Sequence, residues 1–224
     1  EGLSATFDLK GSDRLKFFVT PGYFIIDEIK GTKDDPAMMV FQPGMTWAIN
    51  DKLTLKMAGT YYDFKNIKGN DMTTDHTKGS NSKDADGLWM YDLNSTAFDA
   101  EVGVKIGSFI ESASIFGNYV KSEADSDNTG WLAGVKFGNE KVSEFGKWQA
   151  VYNYRNLEKD AWAEWMPDSD FYSGKTGVKG GEFELTFGLS KNVTFGLDYY
   201  MSAPIDNPNK RDETLMQGDL VIKF

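Results

Sequence analysis

Residues 181–202 read GEFELTFGLSKNVTFGLDYYMS. Phe183, Leu185, Phe187 and Leu189 alternate there with Glu182, Glu184, Thr186 and Gly188. After Ser190-Lys191-Asn192 the alternation resumes, with Val193, Phe195, Leu197, Tyr199 and Met201 set against Thr194, Gly196, Asp198 and Tyr200. A period of two sends successive side chains to opposite faces of a strand. The segment therefore predicts a hairpin with a tight turn, one face apolar and the other carrying carboxylates.

The same pattern recurs along the chain. Leu53, Leu55, Met57, Gly59 and Tyr61 share a face, as do Phe98, Ala100, Val102, Val104 and Ile106, opposite Asp99, Glu101, Gly103 and Lys105. Trp131, Ala133, Val135 and Phe137 oppose Gly134 and Lys136; Trp148, Ala150, Tyr152 and Tyr154 oppose Gln149, Asn153 and Arg155. The last residues alternate to the end, Met216, Gly218, Leu220, Ile222 and Phe224 against Gln217, Asp219 and Lys223. Weaker strands are expected over 3–10, 15–27, 37–50 and 109–121, which brings the count to eleven. Pro21 and Pro43 fall inside two of these. Proline lacks a ladder donor, so each predicts a bulge or a strand end.

Composition narrows the classes. The 224 residues carry 34 Asp and Glu against 24 Lys and Arg, and a net charge of -10 argues against nucleic acid as a partner. There is no cysteine, hence no disulfide framework and no thiolate chemistry. No run approaches the ~20 apolar residues of a membrane helix. The opening EGLSATF is no secretory signal, which processing or truncation would explain. Aromatics at 14% and 23 glycines suit alternating strands, and a single domain over 1–224 is expected.

Connections alternate in length. Residues 11–13, 50–51, 107–108 and 190–192 read as tight turns, with 139–147 somewhat longer; residues 28–36, 65–92, 122–129, 158–179 and 203–213 read as long polar loops. One rim of turns and one rim of loops is the up-and-down barrel pattern. A soluble barrel turns its apolar faces inward; a membrane barrel turns them to lipid around a watery lumen. Eleven or more strands enclose an interior too wide for these apolar side chains to fill easily. Tyr61, Tyr62, Phe64, Tyr119, Trp131, Trp148, Tyr154 and Tyr199 gather near strand ends, where interfacial girdles form. The expected fold is an all-β, transmembrane, antiparallel up-and-down β-barrel. A large soluble sandwich is the alternative.

Several stretches resemble the "putative porin" family of Gram-negative bacteria: EGLSATF with FFVTPGYFIIDE, LTLKMAGTYYDFKNIKGN, WLAGVKFGNEKVSEFGKWQAVYNYRNLEKDAW, GEFELTFGLSKNVTFGLDYYMS and the final Phe224. The resemblance covers most of the chain outside the long loops and contains no catalytic motif. It implies a sixteen-stranded diffusion channel in the bacterial outer membrane, among its lipid and lipopolysaccharide. DLVIKF, ending on Phe224, resembles the C-terminal signature read by the barrel assembly machinery. Homotrimers are common among such porins, although no residue here selects one. Family members carry further strands before the stretch matching EGLSATF. Barrels have even strand numbers and periplasmic termini, so about five further N-terminal strands are expected to complete sixteen. The loop that often narrows such pores is then expected to lie outside this sequence.

The expected function is passive diffusion of small hydrophilic solutes and ions. The lumen face would carry Asp8, Asp99, Glu101, Glu182, Glu184, Asp198 and Asp219, balanced by Lys10, Lys16, Lys56, Lys105, Lys136, Arg155 and Lys223. The lysines lie near the tight-turn rim; Asp99, Glu101, Glu184, Asp198 and Asp219 lie higher, beneath acidic loops such as 123–127. Charge rings set ion preference, which predicts mild cation selectivity. A structural or partner-docking barrel with a plugged lumen is the alternative. A specific transporter has little to support it, since Tyr62, Phe116 and Tyr200 are the inward aromatics expected.

Other chemistry is thin. His76, with Asp71, Asp75, Asp84 and Asp86 nearby, lacks the ligand order of a calcium loop, so a solvated loop without metal or cofactor is expected. Glu182, Glu184 and Asp198 share a face as an acid/base pair would, but no Ser/His/Asp set exists without His76, and no enzymatic activity is expected. The stretch AWAEWMPDSDFY, 161–172, carries Trp162, Trp165, Phe171 and Tyr172. Such aromatics suit a sugar or a partner; a loop cap or girdle is the expectation.

Overall fold

The computed structural model describes residues 1–29, 34–72, 77–107, 109–206 and 211–223. Asp75, His76 and Phe224 lie outside the described residues. The chain is all antiparallel β: β1 (Gly2–Ser4), β2 (Phe7–Lys10), β3 (Leu15–Ile25), β4 (Ala37–Ala48), β5 (Leu53–Lys65), β6 (Ser95–Lys105), β7 (Ser112–Ser122), β8 (Thr129–Gly138), β9 (Trp148–Leu157), β10 (Val178–Ser190), β11 (Val193–Pro204) and β12 (Glu213–Ile222). Each strand from β3 onward pairs with the next in sequence. The sheet is up-and-down and does not close, with β1 and β2 at one edge and β12 at the other.

The first two strands are one strand with a gap. Both pair with β3 in one register, Ser4 opposite Gly22 and Phe7 opposite Val19. Pro21 lies opposite Ala5, whose N–H reaches the Pro21 carbonyl at 3.2 Å. Pro21 has no N–H to return, so the ladder lapses there. Pro43 does the same between β4 and β5: pairing stops at Phe41 with Tyr61 and resumes in the same register at Gly44 with Ala58. The expected bulge or strand end is corrected in both cases, because a missing donor breaks one rung without shifting the chain. Elsewhere the strands run longer than expected, β5 to Lys65 and β10 from Val178. The turn after β6 is wider than expected, closed by the Ile106 N–H on Glu111 O at 2.9 Å.

The sheet curls. Phe18 of β3 and Val151 of β9 line one hollow. A flat sheet would hold those strands roughly 29 Å apart at ~4.8 Å per strand. The concave side carries the polar residues and the convex side the apolar ones. Phe98 and Ile115 on the outside are 49% and 61% exposed, whereas the Glu101 side chain on the inside is 24% exposed.

Outward aromatics form a belt linked through the register. Phe41 faces Tyr61, Phe98 faces Tyr119, and Tyr119 faces Trp131, whose ring lies 5.9 Å from that of Tyr154. Phe183 faces Tyr199 further round. At the tight-turn end Trp148 packs against Phe137 and Phe109, with ring centroids 5.8 and 5.7 Å away. Of the residues expected in the girdle, Phe64 points inward instead, and Tyr62 takes the inward place that was also expected of it. Tyr61 takes the outward place, and Tyr62 and Phe64, of the opposite parity, face inward.

The buried apolar cluster sits at the loop end. Phe64, Ile67, Met72, Trp89, Leu93 and Ala163 pack together there, joining β5, the loop after it and the loop between β9 and β10.

Candidate functional site

The concave wall is a descending run of polar groups. Nearest the tight turns, Lys52, Lys56, Lys105, Lys136 and Gln149 surround a hollow of about 330 Å³. Above it lies one of about 410 Å³, which shares Lys56, Glu101 and Lys136 with the first. A third, of about 420 Å³, shares Ala58, Asp99 and Asn118 with the second and reaches the loops. Shared lining makes the three hollows contiguous from one rim to the other.

Two glycines keep this path clear. Phe18 lies directly across from Gly44, and Phe116 directly across from Gly134. A Cβ on Gly44 would stand 2.2 Å from the Phe18 ring, and one on Gly134 2.4 Å from the Phe116 ring. Each ring therefore takes the space that a side chain on the facing glycine would fill.

Charges on the wall are sorted. Glu101 accepts from Lys136 at 2.9 Å and faces Lys56 at 3.6 Å. Arg155 pairs with Glu182 and, at 3.9 Å, with Asp168 of the loop after β9. Its guanidinium lies 4.3 Å from the Phe171 ring centroid, and Asn153 donates to Glu182 at 3.0 Å. Asp99 accepts from Asn118 at 2.7 Å. Glu184 stands directly across from Asp198, and Asp219 across from Gly196. Among the described residues no lysine or arginine makes an ion pair with Glu184, Asp198 or Asp219, so β10 to β12 form an acidic strip. Lys105 lines the lowest hollow. All nine expected pore-lining residues thus share the concave face, and Arg155, Glu182 and Asp168 meet in one cluster.

The loops close over this wall. Glu164, 1% exposed, receives the N–H groups of Lys78 at 2.8 Å, Gly79 at 3.2 Å and Asn81 at 2.8 Å, and both the N–H and hydroxyl of Ser80. Asp160 accepts the Ser82 N–H at 2.7 Å and its hydroxyl at 2.6 Å. Asn81 returns its Oδ1 to the Glu164 N–H at 2.8 Å. Two buried carboxylates on a run of backbone donors fasten the loop after β5 to the loop after β9. Trp162 meets the inward Tyr62 edge to face at 4.7 Å, and Trp165 meets Phe64 and Trp89 at 5.8 and 5.3 Å. Phe171 packs on Tyr200 at 6.4 Å. The 161–172 aromatics form a cap over the concave face.

The sequence reading missed this latch. Nothing in the local sequence sets Glu164 and Asp160 apart from other loop acids, and the loop over 65–92 reads as polar. The available signal was its apolar content: a long loop bearing Ile67, Met72, Trp89 and Leu93 is one packed by its own side chains. In that loop Asp84 accepts the N–H groups of Asp86 at 3.0 Å and Leu88 at 2.9 Å, so its carboxylate shapes a turn.

At the opposite rim Glu111 and Lys147 pair at 2.6 Å. The Lys147 ammonium, then the Glu140 N–H, hold the Glu111 carboxyl below the usual carboxylate range; Glu111 in turn raises Lys147.

A family model described as "Putative porin" matches residues 1–100 and 90–224. No curated protein matches the chain. Among solved structures, LpxR from Salmonella typhimurium is similar at 12% identity and a TM-score of 0.41, over 100% of this chain and 88% of that one. The expected absence of enzymatic activity is not retained beside this match. A likeness this distant carries no activity over to this chain.

Proposed function

We propose, for a chain that belongs to the "putative porin" family, that the sheet is wall to an outer-membrane pore for passive diffusion of small hydrophilic solutes and ions. The inversion of its faces carries this reading. Exposed apolar belts such as Phe98, Ile115 and Tyr119 are unfavourable in water over so large an area and favourable against lipid. Paired charges and contiguous hollows on the other side suit a water-filled path. The latched loops narrow that path at one end.

Ion preference follows from the sorted charges. Lys136 neutralises Glu101 and Arg155 neutralises Glu182, and among the remaining mid-wall charges Asp99, Glu184, Asp198 and Asp219 outnumber Lys56 and Lys105 and set the potential. Mild cation preference is the result. A planar-bilayer recording of the purified native protein under a KCl gradient tests both points. Stepwise openings with a reversal potential toward K⁺ support them. Steps favouring Cl⁻ would retain the pore and refute the charge assignment. One observation favours a second reading: the latched cap covers the concave face, as the plug of a structural barrel would. Folded protein without conductance would select it.

A further inference from the structure

The hollow beneath the cap sets a tyrosine and a tryptophan from the loop end beside polar groups of the wall. Tyr62 and Trp162 supply aromatic surface, and Gln42, Asp99 and Asn118 supply hydrogen-bonding groups opposite. We infer that this hollow is a binding subsite for a neutral, hydroxyl-rich solute of monosaccharide to disaccharide size. Its volume of about 420 Å³ falls at the small end of ligand sites, roughly 300–1,000 Å³.

Three observations select a neutral sugar. First, the cationic charge lining the site is already matched: Arg155 is held by Glu182 and Asp168. An anion would therefore have to displace a carboxylate. Second, the Asp99–Asn118 pair presents acceptors and donors side by side, with one Asn118 N–H committed to Asp99 at 2.7 Å. Hydroxyl groups both donate and accept, so they satisfy such a mixed edge where a purely cationic group would leave donors unmatched. Third, the edge-to-face contact of Tyr62 and Trp162, 4.7 Å at 81°, fixes the two rings at a right angle. The negative face of an aromatic ring attracts weakly positive C–H bonds, which a pyranose presents on its flat side. Trp162 comes from the latched loop, so the same structure that narrows the path also completes the subsite.

This inference rests on the pore reading only for how solute arrives, and its test does not depend on conductance. Native protein folded in detergent is titrated with glucose and with maltose, following tryptophan fluorescence; free lysine and glutamate serve as charged probes. Saturable binding of a sugar, weaker by about ten-fold or more in Asp99→Asn and in Trp162→Phe, is expected. Asp99→Asn is near-isosteric and Trp162→Phe keeps a smaller aromatic ring, and far-ultraviolet circular dichroism checks the fold of both. No saturable change with either sugar would overturn the subsite, as would binding of lysine or glutamate at equal or greater strength. Unaltered sugar affinity in both variants would also overturn it. Bilayer conductance of the same preparation separately reports whether the pore reading stands.

Discussion

Phe64 and Phe98 sit on neighbouring strands, β5 and β6, yet Phe64 is 0% exposed and Phe98 is 49% exposed. Parity separates them. Phe98 points to the convex side, where alternation alone decides its surroundings. Phe64 points inward at the loop end, where Trp165 and Trp89 descend from two loops to cover it. The same side chain is a belt residue in one place and a core residue in the other. In this molecule the strands set a face and the loops set burial.

Truncation should break the symmetry most sharply. Phe64→Ala empties a packed site and should cost about 3–5 kcal/mol, measured by denaturant titration in detergent. Phe98→Ala leaves no cavity and should cost far less. A similar loss at both positions would mean that Phe98 is buried in a way the fold does not show.

Charge insertion comes next. Ile115→Lys places a cation on the convex face at mid-wall and should cost roughly 2–4 kcal/mol against lipid, read by folding into vesicles. Thr186→Lys on the concave face should change folding little, and should shift the reversal potential toward Cl⁻ by offsetting Glu184. Equal penalties would erase the distinction between the faces.

Loosening the latch should act on loops more than on wall. Glu164→Gln sets an amide donor against backbone donors and should cost about 1–3 kcal/mol. Hydrogen exchange should quicken at residues 78–82 while the strands stay protected, and conductance should rise. Unchanged exchange at 78–82 would show that the apolar cluster alone holds the cap.

The smallest effect lies at the tight-turn rim. The Glu111 carboxyl is depressed, so its contribution is present above its unfolded range near ~4.3 and is lost as pH falls through the lowered value. Lys147 is raised, so its contribution is full below ~10.4 and is lost above that as pH climbs through the raised value. Glu111→Gln should therefore matter modestly at neutral pH and not at all in strong acid. Denaturation midpoints across that range check the sign.

The wall was legible from sequence because alternation is local. Phe183 against Glu184, or Phe98 against Asp99, needs no knowledge of distant chain, and the nine wall residues follow from parity alone. Prolines were read with the right mechanism and the wrong consequence, since register on either side of Pro21 and Pro43 is held by the remaining rungs. The latch was not legible. Glu164 meets the Ser80 N–H across 84 residues of sequence, and no periodicity relates two loops. Phe64 was misplaced for the same reason: strand-end aromatics look alike until a loop covers one face. The 161–172 aromatics could be expected to cap something, but the Tyr62 partner of Trp162 could not be read from the stretch itself.

The central claim is that apolar residues face lipid and polar residues face water. A chain without cysteine allows a direct measurement. Phe98→Cys and Asp99→Cys, adjacent in sequence and opposite in face, are each reconstituted in lipid vesicles and exposed to a charged, membrane-impermeant thiol reagent. The account predicts that the cysteine at 99 is labelled and the cysteine at 98 is protected. Labelling at 98 with protection at 99 would contradict it and would turn the sheet inside out.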